Sequence, residues 1–134
     1  MRIVLDTNVF VSGVFFSGPP YEILKAWSHG KVQIVISEEI LEEYRRVGEE
    51  LSEQFPEVDL RPMLELLVTE GEICLPAELP GPVCDDPDDD KFLACAVAGN
   101  VKVIVSGDKH LLRVSGYRGI DVLRPGKFLD QYMS

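Results

Sequence analysis

Residues 2–6 read RIVLD, residues 32–36 VQIVI and residues 101–105 VKVIV. Each holds three consecutive aliphatic residues, Ile3–Leu5, Ile34–Ile36 and Val103–Val105, apolar on both faces of a pleat. That is the pattern of a strand buried on both sides, as in a parallel sheet. The intervening sequence reads as helices. After the Gly18-Pro19-Pro20 breaker, Ile23, Leu24 and Trp27 recur at helical spacing, and the pattern stops near Gly30. Ser37 is a suitable N-cap for a helix with Ile40, Leu41, Tyr44 and Val47 on one face. Pro56 breaks that region, and a third helix is predicted over 57–70, ended by Gly71. A short strand over 72–75, a Pro-rich connection, a helix from Lys91 to about Gly99, a short helix after Asp108, a strand at 120–123 and a last helix after Pro125 complete the chain. Alternating strands and helices predict an α/β fold of three layers, α/β/α, around a central parallel sheet of about four to five strands. Neither a linker nor a repeat interrupts residues 1–134, so one domain is expected.

The chain has 134 residues, 46% of them hydrophobic, enough to build a core without disulfides or metal staples. Its longest uninterrupted apolar run, Phe92 to Ala98, is too short to span a membrane. The N-terminus reaches Asp6 too soon for a secretory signal, so a cytoplasmic protein with no membrane partner is expected. Cys74, Cys84 and Cys95 are odd in number and lack a C-x-x-C spacing. This argues against a disulfide framework or zinc ribbon and for small buried hydrophobes. The net charge is −10, but unevenly spread. Residues 1–90 carry six Lys/Arg against twenty Asp/Glu, and residues 91–134 seven against three. An acidic site beside a basic C-terminal third is compatible with a phosphate-bearing substrate.

The candidate chemistry lies in the carboxylates. Asp6 ends the first strand and Asp108 follows the VKVIV strand. In an open parallel sheet, ligands bind beyond the carboxyl ends of the strands. Each of these acids has a hydroxyl neighbour, Thr7 and Ser106. On the helix after Ser37, periodicity places Glu42 and Glu38 in solvent and Glu43 at the border of the apolar stripe. Asp89 precedes Phe92, Leu93 and Ala96 by helical intervals, which puts it on a buried face. Asp86 and Asp88 look like caps, and Asp90 is a further candidate ligand. A cluster of Asp6, Glu43, Asp89 and Asp108 needs a counter-charge. A hard divalent cation, Mg2+ or Mn2+, suits carboxylate oxygens. His29 and His110 read as surface residues. Such a site favours in-line attack of water on a phosphodiester. Lys91, Lys109 and Arg113 are candidate phosphate contacts.

LDTNVFVSG at 5–13, GPPYEILKAW at 18–27, VISEEILEEY at 35–44, DPDDDKFLACA at 86–96 and VSGDKHLL at 105–112 occur in an order and spacing that resembles the PIN-domain ribonucleases. Within them, the chain is similar to the VapC-like toxins of toxin–antitoxin pairs. The resemblance implies a Mg2+- or Mn2+-dependent endoribonuclease acting on single-stranded RNA and leaving a 5′-phosphate and a 3′-hydroxyl. It carries the metal-holding roles onto Asp6, Glu43, Asp89 and Asp108, and supporting polar roles onto Asn8 and Ser106. It also implies a small antitoxin partner and a homodimer, with exposed apolar groups on the early helices as the place to look. Two departures stand out: Ser106 where the family often has Thr, and Asp90 where Asn is frequent.

Other readings compete. A haloacid-dehalogenase-type phosphatase needs a second Asp two residues after the first, and Asn8 stands there. A phosphoryl-accepting receiver would find its late lysine in Lys109, but no acidic pair precedes Asp6. A housekeeping nuclease of RNA maturation and a non-catalytic PIN-like binding module stay open.

Overall fold

The computed structural model describes residues 1–133. Three of the strands are the runs quoted above. β1 (Arg2–Leu5), β2 (Gln33–Ile36) and β4 (Val103–Val105) are joined by β3 (Glu72–Ile73) and β5 (Asp121–Leu123). The sheet is all parallel, in the order β3-β2-β1-β4-β5. Ile3, Val4, Leu5, Ile34, Val35 and Ile36 are fully buried, because helices cover both faces.

Among the described residues seven α-helices form the outer layers: α1 (Thr7–Phe15), α2 (Pro19–Ser28), α3 (Glu38–Gln54), α4 (Arg61–Glu70), α5 (Asp90–Ala98), α6 (Lys109–Leu112) and α7 (Pro125–Phe128). A 3-10 turn, Pro87–Asp89, leads into α5. Among the described residues no helix is long and apolar enough to cross a membrane.

The topology creates the crevice. The sheet order reverses direction at β1, with β2 on one side and β4 on the other. Leu5 is in register with Val105. Asp6 and Ser106 therefore leave neighbouring strand ends together, and the Asp6 N–H donates to the Val105 carbonyl at 3.0 Å.

Some elements differ from expectation. The alternation did not mark α1, whose residues Thr7, Val9, Phe10, Val11, Gly13 and Phe15 are buried around most of its circumference. A helix apolar all round has no stripe to read. Gly13 lets α1 approach α2 closely, since a Cβ there would come within 2.8 Å of the Pro20 carbonyl oxygen. The third helix starts at Arg61 rather than residue 57, where the Asp59 carboxylate accepts from the Arg61 N–H at 3.1 Å. β3 covers only Glu72–Ile73, and α5 begins one residue early, at Asp90.

Candidate active site

Asp6 is held at both oxygens. It caps α1, with Oδ1 accepting from the Val9 N–H at 2.8 Å, while Oδ2 accepts from the Ser106 hydroxyl. Ser106 Oγ in turn accepts from the Asp108 N–H at 2.9 Å. Asp108 caps α6, accepting from the His110 N–H at 2.7 Å. One hydroxyl thus ties the acid after β1 to the acid after β4. Burial raises the Asp6 pKa, and the bonds from Ser106 and Val9 only partly oppose it.

Glu43 arrives from α3. Its side chain is 12% exposed, whereas that of Glu42 is 62% exposed and paired with Arg45. Ser37 caps this helix through the Ile40 N–H. The neighbouring Tyr44 is fully buried, stacks on Phe10 at 4.3 Å between ring centroids, and donates its hydroxyl to the Leu5 carbonyl at 2.5 Å. This anchors the helix to the end of β1. Glu43 accepts from the Thr7 hydroxyl and from Lys91 Nζ, the latter at 2.7 Å.

Asp89 ends the 3-10 turn, in which Asp86 accepts from the Asp88 N–H at 3.0 Å. Its side chain is 15% exposed. Among the described residues, Asp89 Oδ2 is the one buried side-chain polar atom without a hydrogen-bond partner. His110 Nδ1 lies 3.5 Å from it, without hydrogen-bond geometry, and 3.6 Å from Asp108 Oδ1. Burial, then the charges of Asp108 and Asp86, push the Asp89 carboxyl up to about 6, against the opposing pull of His110.

Asp6, Thr7, Asn8, Glu43, Asp89 and Asp108 line one cleft of about 180 Å³, together with Val47, Asp88 and Phe92. The four expected acids and two of the supporting polar residues meet there. Asn8 is at its exposed rim, and Ser106 lies beneath, fully buried.

Three expectations need correction. Asp90 turns away from the cleft, accepting from the Val83 and Cys84 N–H groups at 3.1 and 2.8 Å, so it fastens a loop. Lys91 is no free phosphate contact. Its side chain is 6% exposed and sits between Glu43 and Asp88, 3.1 Å from the latter. Burial works against its charge, but these carboxylates overcome that and hold its pKa above the usual value. His110 is no mere surface residue, since it stands beside two of the acids. Of the other basic candidates, Lys109 is exposed and Arg113 pairs with Asp85 at 3.0 Å.

Sequence reasoning missed a second grouping. Asp86, Asp89 and His110 each offer an atom within 4.8 Å of the others. The spacings Asp86-x-x-Asp89 and Asp108-x-His110 were the available signal. Two carboxylates and one imidazole, with one buried oxygen that receives no hydrogen bond, fit a divalent cation.

The PIN domain family matches residues 2–110, most of the chain and every acid in the cleft. The chain belongs to the PIN-domain family. PIN domains are generally nucleases and typically bind divalent metals. None of the curated proteins compared matches this PIN domain.

Proposed function

We propose that this PIN domain is a Mg2+- or Mn2+-dependent endoribonuclease that hydrolyses phosphodiester bonds in single-stranded RNA. The observation that carries this reading is the buried Asp89 oxygen that receives no hydrogen bond, 3.5 Å from a His110 nitrogen that is itself 3.6 Å from Asp108, at the carboxyl edge of a parallel sheet. Asp6, Asp89 and Asp108 would hold the cation, with Glu43 bound directly or through water. A cation there would lower the pKa of water and neutralise charge on the phosphodiester. The chain's own residues keep the acids in place. Ser106 orients Asp6 and Asp108, Thr7 and Lys91 orient Glu43, and Tyr44 fixes the helix that carries it. Family membership supports hydrolysis to a 5′-phosphate and a 3′-hydroxyl.

The VapC-like motif spacing supports a narrower reading. The protein would be a toxin neutralised by a small antitoxin, working in the cytoplasm as a homodimer. Exposed Phe16 and Tyr21, beside the α1–α2 turn, supply apolar surface for the pairing.

The test is cleavage of end-labelled single-stranded RNA with Mn2+, Mg2+ or EDTA, beside Asp6→Asn. Cutting that needs metal and vanishes in the variant is the expected result. No cutting of varied RNAs, with metal binding shown intact, overturns the nuclease reading. Growth arrest on induction, relieved by a neighbouring small reading frame, tests the toxin role. Sedimentation at micromolar concentration tests the dimer.

A further inference from the structure

We propose that Cys74 and Cys95 are an oxidisable thiol pair, which hydrogen peroxide converts to an intramolecular disulfide. Their sulfur atoms lie 3.7 Å apart, and Cys74 Sγ is also 3.7 Å from the Cys95 carbonyl oxygen. Both positions are fixed by regular structure. Cys74 directly follows β3, and its N–H donates to the Ile36 carbonyl at 2.9 Å. Cys95 lies within α5 and is fully buried.

The two thiols have different access. Cys74 is half-buried and lines a surface groove of about 320 Å³ with Glu38, Glu39, Ile73, Leu75 and Pro76. Leu75, its neighbour, is 87% exposed. A small oxidant therefore meets Cys74 first. The two glutamates disfavour an anionic disulfide reagent, and neutral peroxide enters without that repulsion. Cys84 stands apart. It is buried, its N–H bonds to Asp90, and its thiol faces that carboxylate rather than a second sulfur. Burial pushes up the Cys84 and Cys95 thiols alike, so what singles out Cys95 is the 3.7 Å approach of Cys74, and Cys84, without it, should stay reduced.

The chemistry balances in two steps. Cys74 sulfur attacks peroxide, an S–O bond forms, the O–O bond breaks, and the departing oxygen takes the thiol proton to leave as water. Cys95 sulfur then attacks the sulfenic sulfur. The S–S bond forms, the S–O bond breaks, and a second water leaves with the Cys95 proton. Two thiols are oxidised and one peroxide is reduced to two waters.

The product is a covalent ring from Cys74 to Cys95 that encloses Asp86, Asp88 and Asp89. The Ala77 N–H to Ala94 carbonyl bond, 3.1 Å, and the Asp90 bonds already hold parts of that segment. The disulfide would restrain the rest. This inference does not depend on the nuclease reading.

The test uses the full chain, reduced and metal-free, exposed to hydrogen peroxide. Maleimide mass tagging counts the thiols, and peptide mapping locates any bond. The expected result is loss of two of the three thiols, a Cys74–Cys95 linked peptide, a monomeric band without reductant, and full reversal by dithiothreitol. The ring should raise Tm by about 5 °C. Cys84→Ala should leave the linkage intact, and Cys74→Ser should leave Cys95 reduced. Three surviving thiols, a bond to Cys84, a bond between two chains, or Cys74 oxidised to sulfinic acid without a bond would each overturn the proposal.

Discussion

The acids of the cleft are placed against their own charge, and two predictions follow from that. Asp89 titrates near 6 and Asp6 is also raised, in each case first through burial. A carboxyl raised on folding binds its proton more tightly in the folded state. Its stabilising contribution is full below the unfolded pKa, near 4, and is lost as pH rises through the folded value, near 6 for Asp89. Metal-free protein should therefore lose the Asp89 contribution as pH rises from about 4 through about 6, and the Asp6 contribution as pH rises through its own raised value. A cation needs the ionised forms, so Mn2+ should raise Tm more at pH 7.5 than at pH 5. Thermal melts of the wild type and Asp89→Asn check this; the variant should lose most of the difference. Lys91 makes the second prediction. Lys91→Met leaves Glu43, 12% exposed, with only the Thr7 hydroxyl and the more distant Arg46 beside it, and should cost about 2–4 kcal/mol in urea unfolding, with about half restored by adding Glu43→Gln. At this scale the sequence was partly legible. Helical periodicity separated Glu43 from Glu42, because burial on a single helix follows its stripe. It did not reveal the neutralising role of Lys91, because its partner Glu43 is distant in sequence and on another helix. Asp90 was ambiguous for a similar reason, since the amides it binds belong to an irregular loop.

Elements were legible where their burial is two-sided or one-sided, and illegible elsewhere. β1, β2 and β4 announce themselves as continuous aliphatic runs because helices cover both faces of the sheet. α2 and α3 show stripes because one face is wet. α1 shows neither signal, being buried nearly all round, and only the Asp6 cap marks its start. The segment between β3 and α5 has Pro76, Pro80 and Pro82 and little periodicity, so its path depends on tertiary bonds. Asp90 supplies two of them, and this defines a test at the scale of the element. Asp90→Ala should unmoor Val83 and Cys84 and destabilise the fold by about 2 kcal/mol, the range for bonds to a charged acceptor. Mn2+ stoichiometry by calorimetry should not change. Loss of a bound cation would instead return Asp90 to the ligand set.

For the whole molecule, the distribution of charge would set the terms on which the proposed RNA substrate approaches. The first ninety residues hold twenty acids against six bases, and the cleft takes Asp6, Glu43, Asp88 and Asp89 from them and Asp108 from the more basic remainder. Of the seven bases beyond residue 90, Lys91 is buried against Glu43 and Arg113 is paired with Asp85. Lys102, Lys109, Arg118, Arg124 and Lys127 are left, and Arg124 donates from Nη1 to the carbonyl of Gly107, the residue before Asp108, at 3.5 Å. A protein that neutralises six to ten phosphates with its own cations loses about 10³–10⁵ in affinity between 50 and 200 mM salt. On the proposed reading, the favourable charge at the cleft would come mainly from a divalent ion held there. Binding of single-stranded RNA, followed by fluorescence anisotropy with Ca2+ substituted to slow cleavage, should weaken less than about tenfold over that range. In EDTA it should vanish, because the four carboxylates then face the phosphates directly. A steep salt dependence that persists in EDTA would mean that the exposed bases of the C-terminal third hold the RNA by themselves. The acidic cleft would then govern cutting but not capture, and neutralising Lys109 and Arg124 together would abolish binding while leaving the metal-induced rise in Tm unchanged.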